Sequence, residues 1–101
     1  MENIKIYELI NSEIAIDVNE AEHISNIIIK KFSKTHSKVC LDFSGLTSII
    51  SPFTRALIKP LLGNKVDFEG TKFENDRLKD SFERILEGYK VMGMENIREV
   101  A

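Results

Sequence analysis

One cysteine and two histidines are the side chains in this sequence best suited to nucleophilic catalysis or metal binding. Cys40 and His36 could pair as thiol and base, but Cys40 lies in an apolar run where a small buried hydrophobic residue is expected. His23 and His36 form no cluster with cysteine or carboxylates at metal-ligand spacing. The sequence also lacks a glycine-rich phosphate loop and a G-x-S-x-G serine elbow. We therefore predict no catalytic residue, no metal and no cofactor, and a protein that is not an enzyme.

A serine and an aspartate in the middle of the chain are stronger candidates for function. Ser51 precedes Pro52, a pair that predicts a helix start with Ser51 as the N-cap and Pro52 as the first helical residue. Asp42 ends an apolar segment, where it either accepts N–H groups of the following turn or meets a partner. Asp42 therefore keeps a structural and a functional interpretation.

Composition limits the classes of protein to which the chain can belong. Its 101 residues include 14 Lys and Arg, 16 Asp and Glu and 43% hydrophobic residues, with a net charge of −2. These values predict a single small domain over 1–101, and the balanced charge argues against nucleic-acid binding. No apolar run approaches the roughly 18 residues of a membrane span, and the N-terminus lacks a signal-peptide pattern. A single cysteine favours a reducing compartment, so we expect a cytoplasmic protein without membrane insertion.

Hydrophobic periodicity and capping signals predict the order strand, strand, helix, strand, helix, strand, helix. The strands are expected over 3–10, 14–16, 38–43 and 65–69, and the helices from Asn19 to 33–36, from Ser51 to Lys59 before Pro60, and from Asn75 or Asp76 to Gly93. The first two strands should form a hairpin, and 44–50 a loop held down by Leu46 and Ile49 or Ile50. Apolar residues on both faces of 38–43 are typical of a central strand. The predicted fold class is α/β, with a mixed four-stranded sheet and about three helices.

The segment 41–53 carries a resemblance to a known family. It reads Leu-Asp-Phe-Ser-Gly, then a short loop, then Ser-Pro-Phe. It resembles the STAS superfamily, which includes anti-sigma factor antagonists and sulfate transporter tails, and within it a STAS-like bacterial branch. In that pattern an apolar strand ends in Asp-apolar-small-Gly, and a serine begins a short helix. The order of elements from about 16 to 89 is similar to that of the same family.

The resemblance implies a regulatory protein-interaction module. In anti-sigma factor antagonists, a partner kinase with a histidine-kinase-type ATPase fold phosphorylates the serine that opens the helix, and the phosphate blocks partner binding. Ser51 is the matching position. The chain departs from the antagonist pattern at Ile50, where the antagonists carry Asp, and at Pro52, which replaces a small residue. The residues expected to bind the partner or accept the phosphate are Ser51, Asp42, Ser44, Gly45, Thr47, Phe53, Thr54 and Arg55.

Two other hypotheses from different classes remain open. The chain could be a structural or homo-oligomerisation domain in which Ser51 only caps a helix, so that Ser51→Ala would cost about 1 kcal/mol of stability and nothing else. An edge strand over 66–69 could then pair between copies to give a homodimer. A small enzyme would need a site that the sequence does not display.

Overall fold

The computed structural model describes residues 2–32, 38–64, 66–68 and 72–92. Its elements in chain order are β1 (Glu2–Lys5), α1 (Ile6–Ile10), β2 (Ile14–Ala15), α2 (Val18–Phe32), β3 (Val39–Asp42), β4 (Ser48–Ile49), α3 (Ser51–Gly63) and α4 (Asp76–Val91). The α/β class expected from the sequence is confirmed.

Strand β3 lies at the centre of the fold. It pairs in parallel with β1, so that Ile4 lies opposite Leu41, and all 4 of its residues are buried. On its other side Val39 and Asp42 form parallel bridges to Phe68 and Lys72. The prediction of a central strand over 38–43 is therefore confirmed.

The pairing of the remaining strands differs from the prediction. β2 pairs in parallel with β4, and the described residues form two 2-stranded sheets rather than one mixed four-stranded sheet. The predicted hairpin is wrong, because β1 and β2 each pair with a strand distant in the sequence. The strand predicted over 65–69 is reduced to the bridge at Phe68 within 66–68, and residues 65 and 69 lie outside the described residues.

The strand predicted over 3–10 ends at Lys5, and α1 follows it directly. Ile6 and Ile10 are both buried, and their four-residue spacing puts them on one face of a helix. Asn11 then ends α1 in the left-handed conformation, with φ 52° and its N–H donating to the Tyr7 carbonyl at 2.8 Å. The apolar residues of this segment also alternate as in a strand, so the spacing of its hydrophobic residues does not distinguish a helix from a strand.

Helix α2 packs on α3 through an apolar stripe that includes Ala21, Ile24 and Ile28. The Ser25 hydroxyl on this stripe donates to the Leu57 carbonyl at 3.0 Å. Asn19, the predicted N-cap, is inside the helix, because Asp17 accepts the Asn19 N–H at 2.9 Å and the helix begins at Val18. The predicted end at 33–36 lies outside the described residues.

Helix α3 continues past Pro60, although the sequence predicts its end near Lys59. Pro60 lies in the last turn, where its missing N–H removes only the bond to the carbonyl one turn earlier. The Pro60 carbonyl in turn accepts the backbone N–H and the side-chain amide of Asn64, at 3.0 and 2.8 Å.

Helix α4 begins as predicted, because the Asn75 side chain accepts the N–H groups of Arg77 and Leu78 at 2.9 and 3.4 Å. Phe82 anchors α4 beside the carboxyl end of β3, and the centroid of its ring lies 5.2 Å from the centroid of the Phe43 ring. Phe73 stacks on Phe43 at 4.6 Å and completes an aromatic cluster. Gly93, the predicted end, lies outside the described residues.

Candidate functional site

The predicted site residues fall into two regions. The first is the β3–β4 turn, residues 42–47, and the second is the first turn of α3, residues 51–55. Parallel strands bring their carboxyl ends to one edge of a sheet, so the turn begins where β1 and β3 both end.

Asp42 is fixed by hydrogen bonds within the turn. Its Oδ1 accepts the Ser44 N–H at 2.9 Å, and its Oδ2 accepts the Asn3 amide at 3.2 Å. Burial by itself raises the pKa of the Asp42 carboxyl, but the bonds from Ser44 and Asn3 and the charge of Lys72 hold it below its ordinary value. Asp42 is therefore an ionised acceptor that closes the turn, which supports its structural interpretation.

Gly45 occupies a backbone conformation that other residues rarely adopt. Its φ is +90°, and a Cβ there would lie 3.0 Å from the Tyr7 ring. Its N–H donates to Glu74 Oε1 at 2.7 Å. These contacts tie the turn to the residues that precede α4 and to α1.

The end of the turn is held by β2. Both the N–H and the hydroxyl of Thr47 donate to the Glu13 carbonyl, at 2.8 and 3.3 Å. Leu46 is buried as predicted, and the Ile50 N–H donates to the Ala15 carbonyl at 3.1 Å. The loop predicted over 44–50 therefore contains the short strand β4 and is paired for much of its length.

Ser51 is not the N-cap of α3. Ile50 takes that position, because its backbone is extended and its carbonyl accepts the N–H groups of Phe53 and Thr54 at 3.1 and 3.3 Å. No side chain caps this helix end, so the capping role predicted for Ser51 is wrong. Ser51 is instead the first helical residue and is half-buried, and Pro52 is the second.

The other predicted residues in the first turn of α3 divide into two that face the core and one that faces solvent. Phe53 and Thr54 are 0% and 3% exposed, so they pack in the core and offer no surface to a partner. Arg55 is exposed and lies one helical turn after Ser51, on the same side of α3. Of the predicted contact residues on α3, the structure leaves Ser51 and Arg55 accessible.

Ser51 and Arg55 line a groove between α3 and α4, called here the α3–α4 groove. Its volume is about 370 Å³, and its α4 side includes Ser81, Arg84, Ile85 and Tyr89. The sequence analysis missed these α4 residues. Their three- and four-residue spacing indicates a common helix face, but only the packing of α4 beside α3 brings that face to Ser51.

A second cavity of about 240 Å³ lies beside the β3–β4 turn and is lined by Asp42, Ser44, Gly45, Tyr7 and Glu74. Cys40, considered above as a nucleophile, is buried in β3, and His36 lies outside the described residues. Within the described part of the chain, His, Cys, Asp and Glu side chains form no group of three that could hold a metal ion.

No protein-family model, curated protein or solved structure matches the chain. In the part of the chain that the structure describes, none of the helices has the length and apolar character needed to cross a membrane.

Proposed function

We propose that the chain is a non-enzymatic, STAS-like regulatory module that binds a partner protein in the cytoplasm. The partner is a histidine-kinase-type ATPase, as the resemblance of the segment 41–53 to anti-sigma factor antagonists implies. The contact surface is the first turn of α3 around Ser51, together with Arg55. The observation that carries this proposal is that Ser51 opens α3 without capping it.

The Ser51 hydroxyl supports the proposal because folding does not use it. Its Oγ forms no hydrogen bond with any described residue, whereas the true cap of α4, Asn75, accepts two N–H groups. A phosphate on Ser51 would lie at the positive end of the α3 dipole and beside Arg55. It would place a charge of about −1.5 to −2 on the contact surface, enough to change partner binding.

The β3–β4 turn supports the same proposal in a different way. Asp42, Gly45 and Thr47 each form a hydrogen bond to a residue outside the turn, and these bonds hold the turn in place. A contact surface that is fixed before binding loses less conformational entropy when the partner docks. In this proposal the turn positions the start of α3, and Ser51 and Arg55 make the contacts.

The test is capture of partner proteins from the native host's lysate by three baits, compared by mass spectrometry. The baits are the wild type, the double variant Ser51→Glu/Arg55→Glu, and the control Asn26→Glu/Lys30→Glu. The control makes the same change of charge at the same helical spacing on exposed positions of α2. We expect an ATPase or regulatory protein that the wild type and the control capture and the Ser51→Glu/Arg55→Glu bait loses. Equal capture by all three baits would contradict the proposal.

A second candidate function is homo-oligomerisation. Within the described residues β1 pairs only with β3, so its outer edge is open, and Leu9 and Ile27 beside it are 51% and 43% exposed. An open strand edge next to apolar side chains can pair with a second copy. Light scattering of the pure protein tests this candidate, which predicts the mass of a dimer that Leu9→Lys converts to a monomer.

A further inference from the structure

Positively charged side chains lie on both walls of the α3–α4 groove. Arg55 lines it from α3 and Arg84 from α4, and no carboxylate lies among the residues that line it. The ion pair that the structure shows among the described residues is Lys5 with Glu8, and neither residue lines this groove. Neither arginine therefore has an acidic partner within the described part of the chain.

The acidic residues of α4 do not line the groove. Asp80, Glu83 and Glu87 are exposed and follow one another at three- and four-residue spacing, as do the groove residues Ser81, Arg84, Ile85 and Tyr89. At 3.6 residues per turn Glu83 points away from the groove, whereas Asp80 and Glu87 lie four and three residues from Arg84 and are its neighbours on the helix surface. Helix α3 has no Asp or Glu at all. Arg55 thus has no acidic neighbour on its own helix, and the two beside Arg84 neither line the groove nor form an ion pair with it among the described residues.

The shape and apolar lining of the groove favour a peptide over a small anion. The α4 residues that line it run from Ser81 to Met92, which is about 16 Å along a helix at 1.5 Å per residue. Ile85 and Tyr89 also line the groove and supply apolar contact area. A phosphate ion would use only one end of such a groove, whereas an amphipathic segment would fill it.

We infer that the α3–α4 groove binds an acidic, amphipathic segment of the partner protein, with Arg55 and Arg84 binding its carboxylates and Ile85 and Tyr89 its apolar side chains. This inference rests on the proposed function and names the chemistry that the partner must present. Arginine forms bidentate bonds to carboxylates, and its side chain also packs on apolar surface. Ser51, which also lines the groove, would repel the acidic segment once it carries a phosphate.

The test is selection from a random peptide library of about twelve residues, a length that spans the groove as a helix. The wild type is the target, and the selected peptides are measured against Arg55→Glu/Arg84→Glu and against the control Lys30→Glu/Lys79→Glu. All four positions are exposed, so both variants should fold, which circular dichroism checks. Inorganic phosphate is titrated separately.

We expect selected peptides in which Asp and Glu alternate with apolar residues. The Arg55→Glu/Arg84→Glu variant should bind them at least about tenfold more weakly, because attraction becomes repulsion, and the control should bind them as the wild type does. A selection without enrichment of acidic residues, or equal binding by the groove variant, would overturn the inference. Phosphate binding to the groove more tightly than any selected peptide would also overturn it, in favour of a small anion.

The selection can fail independently of the proposed function, because the library contains no partner protein. A partner lost from the Ser51→Glu/Arg55→Glu bait, without selection of acidic peptides, overturns only the acidic segment. If acidic peptides are selected but all baits capture the same lysate proteins, the groove still binds acidic segments, and the proposal of an ATPase partner at Ser51 is overturned.

Discussion

The β3–β4 turn and the first turn of α3 are neighbours in sequence but differ in how their polar groups are used. In the turn, the Asp42 carboxylate, the Gly45 N–H and the Thr47 hydroxyl each bind a residue of another element or of the same turn. At the start of α3 the Ser51 hydroxyl and the Arg55 guanidinium bind none of the described residues. The comparison indicates that the turn serves the fold, whereas Ser51 and Arg55 are available for binding.

The largest effect is expected from the aromatic cluster that supports both regions. Phe82 is 2% exposed and contacts Phe43 and Phe73, so it holds α4 beside β3 and the α3–α4 groove in shape. Phe82→Ala should lower the free energy of unfolding by about 3–5 kcal/mol through lost burial and a cavity. Urea denaturation measures this, with the exposed Tyr7→Ala as a control for loss of an aromatic ring. A loss below about 1 kcal/mol would show that α4 is not anchored there.

Removal of the Asp42 carboxylate should have the next largest effect on stability. Asp42→Ala leaves the Ser44 N–H and the Asn3 amide without their acceptor, which should cost about 1–3 kcal/mol of stability. Asp42→Asn keeps one acceptor oxygen and should lose less. The same denaturation series measures both variants, and an Asp42→Ala variant as stable as the wild type would contradict the structural role of this residue.

The depressed pKa of Asp42 gives the stability a defined dependence on pH. Its ordinary value is 3.8 and its folded value is lower, so the ionised form stabilises the folded state above pH 3.8. That contribution is lost as the pH falls from 3.8 through the folded pKa. We expect the gap in unfolding free energy between the wild type and Asp42→Asn to narrow over this range. A gap that widens on acidification would show that the pKa is raised instead.

Gly45→Ala should have a smaller effect, of about 1–2 kcal/mol, because an L-residue is strained at positive φ. At φ +90° the added Cβ would also lie 3.0 Å from the Tyr7 ring. Thermal unfolding of Gly45→Ala, with Gly63→Ala as control, measures this difference, since the space around Gly63 is open and its φ is not positive. If the two variants are destabilised equally, the conformation and close contact of Gly45 do not require glycine there.

Local signals in the sequence were enough to predict β3 and α4. The run from Val39 to Asp42 is apolar on both faces, and Asn75 precedes a long helical stripe, so each element is specified by its own residues. Residues 6–10 were predicted as strand because alternating and helical periods coincide in so short a segment. Which strands pair was not predictable, because β1 and β2 find partners far away in the sequence.

The candidate site was predictable only in part. Ser51 and Pro52 indicate a helix start, but proline is tolerated at either of the first helical positions, so the sequence did not distinguish Ser51 as cap from Ser51 as first helical residue. Arg84 and Tyr89 were out of reach, because the place of α4 beside α3 follows from tertiary packing around Phe82. The resemblance of 41–53 to STAS domains indicated the first turn of α3 but not the second wall of the groove.

Two alanine variants, measured in one denaturation series, test whether the Ser51 hydroxyl has any role in folding. Asn75→Ala removes a side chain that caps α4, and should cost about 1 kcal/mol. Ser51→Ala removes a hydroxyl that caps nothing, and its unfolding free energy should stay within about 0.5 kcal/mol of the wild type. If Ser51→Ala instead loses as much stability as Asn75→Ala, Ser51 is a helix cap and the account of this site is wrong.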